Sequence, residues 1–252
     1  MQPLQENVKK ELIKHPFRNI EIVYEEGKTA MTEQDAELLA AYIRIHDSEL
    51  ELKNTAETLY KESIPVKKTI AGLREELKNV KATFDICCQL ADKLSDTSYM
   101  TAETSLHKLA EKRESVENKL REYNEKILEI YETTKVLQEK VIEYHEASEN
   151  RTEVLYSEFV DLSATHIANW ENNALNSVVF DGHFDKFREY TTEIENQREV
   201  LIAECEEAMT NYTTLNLETS AVYNVWNEFV KRYDLLTTIS DLQNRATGFT
   251  EN

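Results

Sequence analysis

Apolar residues recur along this chain at alternating steps of four and three, the spacing that keeps one stripe of a helix turned toward a partner. The first such seam runs Leu38, Tyr42, Ile45, Glu49, Leu52, Ala56, Leu59, Ser63, Val66, Ile70, Leu73, Leu77, Val80, Phe84, Cys87, Ala91 and Leu94, with 15 of 17 positions apolar. It keeps phase through Pro65, so a kink is expected there and not a loop. "SDTSYMT", residues 95–101, is rich in cap and turn residues and reads as a corner.

A second seam runs from Leu106 to Leu155 with 11 of 15 positions apolar, and its spacing drifts beyond Leu155. A third runs from Phe184 to Leu236 with 13 of 16 apolar. Between them stands "VVFDGHFDKF", whose Gly182 is the only glycine between Gly72 and Gly248. A glycine just past a helix end supplies the left-handed conformation that satisfies the last carbonyls, so Gly182 is expected to mark the second corner.

These patterns predict an all-α fold: an elongated antiparallel bundle of three long coiled-coil-like helices, about 33–94, 101–180 and 184–247. The bundle is expected to span 32–247, ahead of a frayed tail at 248–252. The N-terminal segment, 1–31, reads as a short amphipathic helix from Leu4 to Lys14, ended by Pro16, and an extended stretch from Ile20 to Tyr24. It is expected to pack on the bundle, covering the apolar surface near 160–200.

Folding the chain about corners near 97 and 182 leaves the third helix short of the first corner. Phe84, Ile86, Cys88 and Leu90 then become an exposed apolar patch and the expected interface. The same register brings Glu49 near Ser148 and Arg151, and Glu49 with Arg151 is the expected polar layer fixing alignment.

Three prolines and four glycines confirm the helical bias, since average usage of roughly 12% would place about 30 such residues in 252. Asp and Glu outnumber Lys and Arg by 48 to 29, giving a net charge of −19 and opposing nonspecific binding to nucleic acid or anionic lipid. The densest basic stretch, Lys67, Lys68, Arg74, Lys78 and Lys81, is interrupted by Glu75 and Glu76.

Candidate chemistry is sparse. Each of His46, His107, His145, His166 and His183 lacks a glutamate three residues before it, so the paired Glu-x-x-His of di-iron bundles is missing. "HEASE" at 145–149 lacks the second histidine of a zinc protease, and the glycines lie too far apart for a phosphate loop. Cys87 and Cys205 fall on seam positions, where burial makes thiols inert. The histidine and two aspartates beside Gly182 are a weak metal candidate, and the expected cofactor and metal content is none.

The function expected is therefore that of a non-enzymatic structural or interaction protein. It would act as a helical scaffold, spacer or assembly subunit that binds a protein partner or itself as a homo-oligomer, without nucleic acid. The stretch before Phe17 lacks the apolar core of a signal peptide, and a cytoplasmic location is expected. A short N-terminal amphipathic helix followed by three long kinked helices also resembles the BAR class in architecture and length. That resemblance, or one to a soluble component of a helical pore-forming toxin, implies membrane association as the alternative.

Overall fold

Residues at steps of four and three line one stripe of a helix, and burial follows that stripe closely. From Tyr42 through Ala91, all 15 positions of the first seam are buried. The computed structural model describes residues 33–95, 99–170 and 177–248, and every described element is helical. Helix α1 is Glu33–Ser95 and runs through Pro65. Helix α2 is Tyr99–Arg151, followed without interruption by a single π-helical turn, Thr152–Tyr156, and by α3, Ser157–Trp170. Helix α4 is Ser177–Gly248. The expected N-terminal segment, 1–31, lies outside the described residues.

The second corner differs from expectation. Gly182 lies inside α4, which begins at Ser177, while α3 ends at Trp170. An interior glycine costs a helix only about 1 kcal/mol relative to alanine, which a 72-residue helix packed along its length absorbs.

The drift of the second seam has a local cause. A π turn accommodates one extra residue, and Thr152–Tyr156 sits where the periodicity loses phase.

The described residues form two compact units, one from 33–61 with Glu139–Cys205 and one from Glu62–Gln138 with 206–248. In the first, Arg44 pairs with Glu158, and Arg151 reaches Ser48 and Glu51, so residue numbers run oppositely in α1 and the α2–α3 run. Tyr42 meets Phe187 and Glu49 meets Arg198, so α1 and α4 run the same way. The second unit repeats both relations: Glu76 with Lys126 and Thr83 with Lys119 are antiparallel, while Lys67 with Glu207 and Arg74 with Glu218 are parallel. Each unit is thus an up-down-up bundle of three helical segments.

The second unit's core is aromatic. Phe84 packs edge-on against Trp226 at 5.4 Å and Phe229 at 5.5 Å, and Trp226 stacks on Phe229 at 5.1 Å. Such pairs add about 0.5–1.5 kcal/mol each beyond their buried area. The Arg113 guanidinium lies 4.7 Å from the centre of the Tyr233 ring, so its charge is held over an aromatic face at the core's edge.

Candidate functional site: a buried polar layer and the surface around it

Arg198 is a charged residue on an otherwise apolar stripe, and α4 carries it into the centre of the first unit. Its side chain is 5% exposed, against 4% for Glu49 on α1, and its Nε stands 2.7 Å from Glu49 Oε2. Arg198 Nη1 donates to the Tyr144 hydroxyl and to Ser148 Oγ, each at 2.9 Å, and lies 3.2 Å from Glu199 Oε1. The Tyr156 hydroxyl, presented by the π turn, donates to Glu49 Oε1 at 3.5 Å. Three strands of helix therefore converge on one pair of charges.

The electrostatics follow from burial. Burial raises the Glu49 pKa above the usual carboxylate value; Arg198 opposes the rise without cancelling it, and Glu195 adds to it. Burial likewise pushes the Tyr156 and Tyr144 phenols upward, so both stay neutral, Tyr156 donating to Glu49 and Tyr144 accepting from Arg198. His46, one turn before Glu49, is buried, with its ring 5.7 Å from that of Tyr190 and Nδ1 3.5 Å from the Asp47 carboxylate.

The expected partner of Glu49 was Arg151, and the observed one is Arg198. Arg151 instead donates Nη1 to the Ser48 carbonyl at 2.5 Å and Nη2 to Glu51 Oε2 at 2.9 Å, at the edge of the same layer. The substitution of partners follows from the second corner. A turn at Gly182 would set Arg198 opposite residue 166, whereas with α4 already begun at Ser177 it stands opposite Tyr144 and Ser148.

The same shift corrects the expected interface. Because α4 turns earlier, it reaches alongside the end of α1 and covers it: Phe84 is 5% exposed, and Cys88 and Leu90 pack against the aromatic core. Ile86 alone of the four remains exposed, at 45%. The exposed apolar stripe lies elsewhere, on α4, where Leu235, Ile239 and Leu242 are 61%, 43% and 59% exposed at spacings of four and three. Sequence reasoning missed it because the second stripe is only three residues long and is offset from the dominant seam of the same helix.

Three of the five basic residues in that stretch of α1 form internal pairs. Lys67 Nζ lies 2.6 Å from Glu207, Arg74 Nε 3.2 Å from Glu218, and Lys78 Nζ 2.5 Å from Glu75. The hydrogen bond from Lys67 holds the Glu207 carboxyl below its ordinary range. Among the described residues no group of three His, Cys, Asp or Glu is placed to hold a metal ion, and no helix is long and apolar enough to cross a membrane. Comparison with protein-family models, with curated proteins and with solved structures finds no match to this chain.

Proposed function

We propose that the chain is a non-enzymatic helical interaction protein, a scaffold or assembly subunit that associates with itself through the outer face of α4. The observation that carries this reading is the stripe Leu235, Ile239 and Leu242, three large apolar side chains on one face of a helix whose opposite face is already buried through Trp226, Phe229 and Tyr233. A helix with two apolar stripes has a use for a second neighbour, because each exposed side chain of this size gains about 1.5–3 kcal/mol on full burial. A coiled-coil contact between copies, spaced like the internal seams, is the arrangement these positions fit.

The test is mass in solution by light scattering over a wide range of protein concentration. Association that rises with concentration and is lost in Leu235→Glu/Ile239→Glu supports the reading. A mass of one chain at every concentration overturns it.

A further inference from the structure

On α4 the run Leu235, Ile239 and Leu242 is ended on its N-terminal side by two charged residues, Arg232 and Glu228, and beyond them the same phase resumes with Val225, Ala221 and Leu217. At about 100° of rotation per residue, these eight side chains share an arc of roughly 100° on the helix. All eight are exposed, Leu217 at 67% and Val225 at 55% among them, and all belong to the second unit.

The order of these positions reads the same in both directions. From Ala221 to Ile239 the steps are four, three, four, three and four. A half-turn about the level of Val230 therefore sets Ala221 opposite Ile239, Val225 opposite Leu235, and Glu228 opposite Arg232. The same operation brings Leu217 within a residue of Leu242. We propose that two copies of the chain pair through this stripe as a two-fold, antiparallel pair of α4 helices centred at Val230, with Glu228 of each copy facing Arg232 of the other. This arrangement rests on the self-association read from α4 and adds its orientation and register.

Charge and size select it. A parallel, in-register pair would set Glu228 against Glu228 and Arg232 against Arg232, two like-charge contacts at the middle of the stripe. The antiparallel pair turns both into contacts of opposite charge, and it places the small Ala221 against the large Ile239. Arg232 is steadied at this face by Asp92 of α1, 2.8 Å from its Nη1, and Glu228 meets Lys231 of its own helix at 2.7 Å. A guanidinium has five N–H donors, so one can serve Asp92 and a second carboxylate together.

Two cysteine variants read the orientation. In the antiparallel pair, position 225 of one copy lies beside position 235 of the other, while like positions stand about 15 Å apart, beyond the roughly 7 Å between Cα atoms that a disulfide spans. Val225→Cys and Leu235→Cys chains, mixed and mildly oxidised, should therefore join to each other several-fold faster than either joins to itself. Peptide mass separates these links from any made by the three native cysteines. In parallel, Glu228→Arg should weaken association several-fold by light scattering, and Glu228→Arg/Arg232→Glu should restore it. Self-linking as fast as cross-linking, or a double variant no better than the single one, overturns the antiparallel arrangement, and self-association still stands if the wild-type mass rises with concentration. A wild-type mass of one chain at every concentration overturns both.

Discussion

Arg198 reaches across the first unit to stand 2.7 Å from Glu49, a buried charge answered by a buried charge of opposite sign. Removing one partner leaves the other in a poorly solvated interior, so Glu49→Leu or Arg198→Leu alone should destabilise the protein by about 3–5 kcal/mol. Replacing both with leucine should recover most of that loss, because two apolar side chains need no counter-charge. Urea unfolding of the two single variants and the double variant measures the coupling; additive losses would mean that the pair does not act as a unit.

Glu49 also sets a pH dependence. Burial raises its folded-state pKa above 4.5, so the folded protein binds this proton more tightly than the unfolded chain. The associated stability is fully present below about 4.5 and is lost as pH rises through the raised folded-state value. The difference in unfolding free energy between the wild type and Glu49→Gln should therefore shift against the wild type as pH rises above 4.5, and a flat difference across that window would contradict the assignment.

Phe84 and Ile86 separate core from surface on one turn of α1. Phe84→Ala, which opens a cavity against Trp226 and Phe229, should cost about 3–5 kcal/mol. Ile86→Ala should stay within about 0.5 kcal/mol, as expected of an exposed position without a special role. Thermal melts of the pair report both.

At Gly72 no atom lies within 4 Å of the position an added Cβ would occupy. Gly72→Ala in the interior of α1 should raise stability by about 0.5–1 kcal/mol, through the lower conformational entropy of the unfolded chain. An upward shift of the melting temperature checks it.

Cys87 sits at a fully buried seam position, and its thiol is pushed up to about 11, first by burial and then by Cys88 beside it. Alkylation at neutral pH should therefore reach Cys87 only when the helices separate, at a rate that follows denaturant. Rapid labelling of Cys87 in the native protein, read by peptide mass, would place it outside the core.

What could be read in advance, and what could not, divides along one physical line. Periodicity says which face of a helix is buried, and from Tyr42 to Ala91 it did so at every position, including the polar ones Glu49 and Ser63. It does not say where a long helix ends. A corner read at Gly182 lies several residues inside α4, which begins at Ser177, and register carries that displacement outward. It paired Glu49 with Arg151 when Arg198 was the partner, and it left Phe84 uncovered when Trp226 and Phe229 lie against it. Two apparently separate misreadings thus have a single source, the small energetic difference between a glycine that stops a helix and one that a helix carries through.

The π turn at Thr152–Tyr156 bears on how this sequence can change over time. One residue added to a regular α-helix turns everything beyond it by about 100°, which would swing Phe159 away from Tyr42, whose rings now meet at 5.0 Å. A widened turn confines the addition to five residues and leaves the facing surfaces matched on either side. One extra residue is thus absorbed at this point, whereas one added within a regular stretch of α1 or α4 would turn the seam beyond it away from its partners.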